Sequence, residues 1–175
     1  TLPPLTRAHY YMHLALHAVD KPNLKLSALL CYGEDIAGRG ESLLGTDGLL
    51  SSAVERMLST SPAGSAMGIQ LAAVLISCEL LLDLIGDNPS DGGLGVMINE
   101  TQFSGLHLDG CKWVDVTSAA QVANLSSTIK SSRSAILERH SATDSLTHRS
   151  NTIIALRYAP TDGTSYGNIL YLVEL

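Results

Sequence analysis

Ser65-Ala-Met-Gly-Ile-Gln-Leu-Ala-Ala-Val-Leu-Ile-Ser-Cys-Glu-Leu-Leu-Leu-Asp-Leu-Ile85 is the most hydrophobic stretch of the chain, and the fold turns on how it is read. Drawn as a helix it is apolar nearly all round, which marks either a central buried helix or a membrane segment. The uninterrupted part runs only from Leu71 to Cys78, because Gln70, Glu79 and Asp83 break the rest. A spanning helix needs about 20 mostly apolar residues. The expectation is therefore a buried core helix over 65–85, with Glu79 and Asp83, four apart, sharing its solvent edge. A membrane-inserting helix of toxin type is the alternative.

Downstream, Asp87-Asn-Pro-Ser-Asp-Gly-Gly93 is the clearest turn-rich connection. The chain is read as a single domain over 1–175, with 87–93 joining two sub-halves, 1–86 and 94–175. Strand-like runs follow at 94–101 and 106–116. Ser118-Ala-Ala-Gln121 reads as a capping box opening a helix to about His140, with Val122, Leu125, Ile129 and Ile136 at helical spacing. Thr152–Ala159 and Tyr166–Leu175 read as two further strands around the loop 160–165.

Upstream, Asp47 is placed to cap a short helix from Gly48 to about Leu58, and Gly33 to Gly48 reads as a flexible loop. Leu24–Cys31 reads as a strand. The segment 8–20 fits either a helix or a strand, and a hairpin with 24–31 is preferred because that strand needs a partner and 8–20 is the nearest apolar run. The resulting fold class is α+β: antiparallel sheets of about six strands with three helices, one of them the buried hydrophobic helix, in an α/β sandwich.

The composition restricts function. The chain has 175 residues, 45% of them hydrophobic and 16% charged, with a net charge of −6. Its eleven Lys and Arg are dispersed, whereas phosphate-backbone binding draws affinity from clustered cations, so nucleic acid is not expected as a partner. The start Thr1-Leu-Pro-Pro-Leu5 reads as a processed or excised chain, which suits an extracellular, secreted location. Of three cysteines, Cys31 and Cys111 are the disulfide candidates, and Cys78 reads as a buried thiol. Asn99-Glu-Thr101 and Asn124-Leu-Ser126 are glycosylation candidates.

His9, His13 and His17 form the one suggestive chemical pattern, a stripe on one face of either a helix or a strand. They are the candidate metal ligands, since imidazole is the commonest metal ligand. The residues after them are Tyr, Leu and Ala, so the His-Glu-x-x-His pattern of metalloproteases fails. Gly38-Arg-Gly40-Glu-Ser-Leu-Leu-Gly45 superficially resembles a phosphate loop but lacks its Gly-Lys-Ser/Thr end, and Ser127-Thr-Ile-Lys130 lacks the companion motifs of a Ser-x-x-Lys site.

Without a catalytic signature, the leading expectation is a non-enzymatic secreted or surface protein acting by protein contact or self-assembly as a homo-oligomer. Its terminal strand, Asn168–Leu175, would need covering by a partner. The alternatives are a secreted toxin using 65–85 for membrane contact, and a metal-assisted hydrolase using the histidine stripe. No cofactor is called for beyond a metal ion at that stripe.

Overall fold

The computed structural model describes residues 26–31, 36–60, 67–77, 80–87, 95–101, 105–141, 150–160 and 169–175. The segment expected to be a buried helix is two strands, β2 (Met67–Ser77) and β3 (Leu80–Asp83), folded against each other from the register Ser77↔Leu80 to Val74↔Asp83. β2 also pairs antiparallel with β7 (Ser150–Pro160) over its whole length, from Met67↔Pro160 to Ser77↔Ser150. A strand buried on both faces needs apolar residues at every position, so its run cannot be told from a buried helix by periodicity. That is why the helix reading of 65–85 fails.

The main sheet has the order β1-β8-β7-β2-β3, with β6 (Val114–Val116) pairing the other half of the β2 edge that β3 covers. β1 (Leu26–Cys31) lies parallel to β8 (Ile169–Glu174), in register from Leu26↔Ile169 to Cys31↔Glu174. β8 is antiparallel to β7 on its other side. The terminal strand is thus paired on both edges by the chain itself, and the all-antiparallel sheet expected from the sequence gives way to a mixed one. Strands from both sides of 87–93 interleave in this sheet.

Alternate residues divide the sheet into two faces. Ile69, Leu71, Ala73 and Leu75 of β2, Ile154 and Leu156 of β7, and Leu170 and Leu172 of β8 join one buried cluster with the helices. Those helices are α1 (Ile36–Leu44), α2 (Leu49–Thr60) and α3 (Ala119–Ser141). Val74, Ala155, Ile169 and Tyr171 face the other way, against Val96 and Leu108 of the β4–β5 (Met97–Thr101, Gly105–Asp109) hairpin region. A helix occupies most of the segment read as a loop at 33–48, because Gly38 and Gly40 lower helix propensity without forbidding it. The expected strand over 106–116 is broken at Gly110, whose φ of +75° turns β5 towards β6; a Cβ there would stand 2.8 Å from the Gly95 carbonyl oxygen.

The two candidate disulfide partners lie on opposite faces. Cys31 packs with the helix-side cluster and Cys111 with the hairpin side, and both are free thiols. Burial, then the Asp83 carboxylate, pushes the Cys111 thiol up to about 11. Thiolate is the reactive form, so Cys111 at pH 8 is expected to alkylate about 100-fold more slowly than an exposed thiol. Mass-spectrometric timing of iodoacetamide labelling checks this: equal rates for Cys111 and a small model thiol would contradict the buried placement.

Candidate functional site

A parallel strand pair brings two carboxyl ends to one edge of a sheet, and in α/β folds ligands bind in the crevice outside such ends. Here that edge is formed by Cys31 and Glu174, which are register partners. After β1, the chain passes through 32–35 into α1. A strand followed by a short connection and a helix is the arrangement in which helix amides meet anions.

Glu174 continues the helix-side row of Leu170 and Leu172, so the pleat points a carboxylate into the apolar layer. It is 1% exposed, and its Oε2 accepts from Nη1 of Arg133 on α3 at 2.8 Å. A buried carboxylate at such a place requires a cation, and α3 supplies it. The pair is not saturated: Glu174 Oε1 and Arg133 Nε are buried with no hydrogen-bond partner among the described residues. An open acceptor beside an open donor calls for a ligand or water.

Gly40 of α1 passes over this pair. A Cβ there would sit 3.8 Å from Arg133 Nη1, in ordinary contact. One position on, Glu41 Oε1 accepts from Lys130 Nζ at 2.7 Å. Lys130 and Arg133 are three apart on α3 and so share a face. Between α1 and α3 lies a groove of about 310 Å³ lined by Gly40, Glu41, Leu44, Lys130, Arg133 and Ser134. Burial, and then the Glu174 carboxylate, raise the Cys31 thiol, so Cys31 is protonated at neutral pH and no ready nucleophile.

The phosphate-loop resemblance now has a place in the fold. The pattern Gly-x-x-x-x-Gly-Lys-Ser/Thr follows a strand and leads into a helix. Residues 33–40 follow β1 and run into α1, with Gly33 and Gly38 at the pattern's two glycines. Arg39 stands at the lysine and Gly40 at the Ser/Thr. The signal in the sequence was the order of parts: apolar strand, glycine-bearing segment, helix, and later the apolar strand Ile169–Glu174 ending in a carboxylate.

The residues singled out in the sequence do not meet here. His9, His13, His17 and Cys78 lie outside the described residues. Among the described residues no group of three or more His, Cys, Asp or Glu is placed to hold a metal ion. Asn99 is on β4 with its Nδ2 donating to Asp109, and Asn124 is exposed on α3. Asp83 is buried and structural, not on a helix edge. No described helix is long and apolar enough to cross a membrane.

No family model matches the chain, and no curated protein does. Solved structures do. One is described as the C-terminal motor and motor homology domain of Kar3Vik1 fused to a synthetic heterodimeric coiled coil; it is 19% identical with a TM-score of 0.67, over 98% of this chain and 44% of that one. Another is described as the structure of a fast kinesin; it is 18% identical with a TM-score of 0.66, over 95% of this chain and 48% of that one. The chain spans less than half the length of these neighbours. At this identity the likeness establishes the fold alone, that of the matched part of these motor-domain structures. It overturns the α/β sandwich built round a buried helix, and with it the secreted or surface contact protein, the extracellular location and the toxin and glycoprotein readings.

Proposed function

We propose that this chain is a nucleoside-triphosphate-binding domain of the motor type, with the phosphates at the carboxyl edge of β1 and β8. The observation that carries the reading is the buried Glu174–Arg133 pair, which keeps one acceptor and one donor open at that edge. Both atoms lie buried under α3, so they would meet a magnesium nucleotide, a carboxylate oxygen for the hydrated cation and a guanidinium N–H for a phosphate oxygen, once α3 shifts to uncover them. When bound, magnesium would neutralise charge on the phosphate oxygens.

The chain's own residues divide the remaining work. The amide end of α1 attracts the phosphates through its dipole and its unpaired N–H groups. Arg133 orients Glu174 at the edge through their hydrogen bond. Arg39 stands where a phosphate loop carries its lysine, but Gly40 replaces the Ser/Thr whose hydroxyl holds magnesium, so basal hydrolysis is expected to be slow.

The fast kinesin is described with its interactions with microtubules, and the coiled coil of the Kar3Vik1 fusion is a synthetic heterodimeric one. They support a protein partner, and we take a cytoskeletal polymer as that partner. Co-sedimentation with microtubules, with and without MgATP, together with phosphate release, tests the reading. The expected result is microtubule binding that changes with nucleotide, and slow turnover. Absence of both nucleotide binding at millimolar MgATP and microtubule binding would overturn it.

A further inference from the structure

We infer that the Arg133 guanidinium takes the place of the magnesium ion in this crevice, so that while α3 lies over the sheet the triphosphate is held without its metal. The inference rests on the nucleotide reading above and names the form of ligand the site accepts. A phosphate loop holds its ion through the hydroxyl of the Ser/Thr that follows its lysine, and a carboxylate elsewhere in the fold holds it too. Here the loop keeps a cation, Arg39, but Gly40 follows it and carries no hydroxyl. The carboxylate at this edge is already taken: Glu174 Oε2 accepts from Arg133 Nη1 at 2.8 Å.

Both changes meet at one nitrogen. A Cβ on Gly40 would sit 3.8 Å from Arg133 Nη1, the same atom that donates to Glu174. Nη1 therefore stands next to the place of the missing hydroxyl and to the carboxylate, where an ion held by both would have to be. Burial keeps it there, since Glu174 is 1% exposed and the Arg133 side chain 14%. An ion reaching Glu174 would have to break a buried pair and leave the guanidinium uncompensated. Magnesium also gives up its water reluctantly, which a sealed site demands of it.

The charge balance removes the need for the ion. A bare carboxylate beside a triphosphate repels it, and magnesium at such a place neutralises that charge. Arg133 has neutralised Glu174 already. The phosphates are left with the amide end of α1 and the positive charge of Arg39, neither of which depends on a metal.

Titration of the full chain with fluorescently labelled ATP, once in excess magnesium and once in EDTA, tests this. The two affinities are expected to be equal. Arg133→Gln keeps an N–H for Glu174 but gives up the charge, and is expected to bind about tenfold more tightly with magnesium than in EDTA, the size of one charge-assisted contact. Gly40→Ser/Arg133→Gln, with the hydroxyl restored, should widen that difference. Gly40→Ser alone should stay indifferent to magnesium, because Arg133 still holds Glu174. If the unaltered chain binds about tenfold or more weakly in EDTA, the site requires its metal and the inference falls. It falls too if both Arg133→Gln forms are folded and as indifferent to magnesium as the unaltered chain, since another group then does the work assigned to Arg133. The comparison on the unaltered chain uses no variant and decides alone where a variant does not fold. If labelled ATP binds neither with magnesium nor without it, the nucleotide reading itself falls.

Discussion

Arg133→Leu is expected to lower the free energy of unfolding by about 3–5 kcal/mol, the usual cost of leaving a buried charge without its partner. The charge left behind is Glu174, which is 1% exposed and has no other cation within salt-bridge distance among the described residues. In a domain of this size that corresponds to a fall in melting temperature of roughly 10 °C. The double variant Arg133→Leu/Glu174→Leu should recover most of the loss, since a well-packed apolar pair is often as stable as a buried ion pair. Urea unfolding of the three forms reads this directly: the midpoint should move and the slope should not. A single variant within about 1 kcal/mol of the starting chain would show that Glu174 is hydrated and not sealed under α3. The recovered double variant is stable but has lost the open acceptor and donor, so it should not bind MgATP. Stability and ligand binding are thus separable at one pair.

Asp83→Ala is the second large effect, expected at about 3–4 kcal/mol, because three amide donors lose a charged acceptor at once. Asp83 is 5% exposed. Its Oδ1 accepts from the N–H of Ile85 at 2.8 Å and of Gly86 at 2.9 Å, while Oδ2 accepts from that of Lys112 at 2.6 Å. One side chain thereby closes the turn after β3 and ties it to the connection between β5 and β6. Asp83→Asn keeps an acceptor and should lose roughly half as much, since its amide nitrogen cannot accept. Hydrogen exchange locates the damage: the amides of Ile85, Gly86 and Lys112 should lose protection first. Unchanged exchange at all three in the Ala variant would contradict the assignment.

Asp83 also shows how much could be read beforehand. Placed on a helix, it was a solvent-edge residue paired by spacing with Glu79. On a strand end it is a buried turn organiser. The difference comes from one ambiguity, since a strand covered on both faces and a core helix have the same apolar run. Where an element was half-exposed, the periodicity carried information: Val122, Ile129 and Ile136 are the buried stripe of α3, and Ser118 Oγ accepts from the Gln121 N–H as the capping box requires, with Gln121 reaching back to Thr117. Val54 and Met57 are buried on α2 in the same way. The parallel pairing of β1 with β8 was out of reach, because nothing local ties Leu26 to Ile169.

The site was out of reach for the same reason. Glu174 is an unremarkable acid near a chain end until the register sets it beside Cys31, and Arg133 is one of several cations on a polar helix until that helix covers the sheet. The glycine-bearing segment at 38–45 is visible in the sequence, but it lacks the Gly-Lys-Ser/Thr end of a phosphate loop.

The pairing of β1 with β8 also sets the order in which the molecule can be made. β1 is among the earliest described strands to leave the ribosome and β8 the last, so the edge that carries the crevice must wait for nearly the whole segment to emerge. Contacts that close such long loops form late and slowly, because the chain entropy is lost before the contact rewards it. Until Ile169–Glu174 docks, the apolar edges of β1 and β7 have no partner, and a nascent chain is vulnerable to sticking through them. Arrival of this strand covers both edges and assembles the Glu174–Arg133 pair in the same step, so the buried ion pair forms only once the sheet closes around β8.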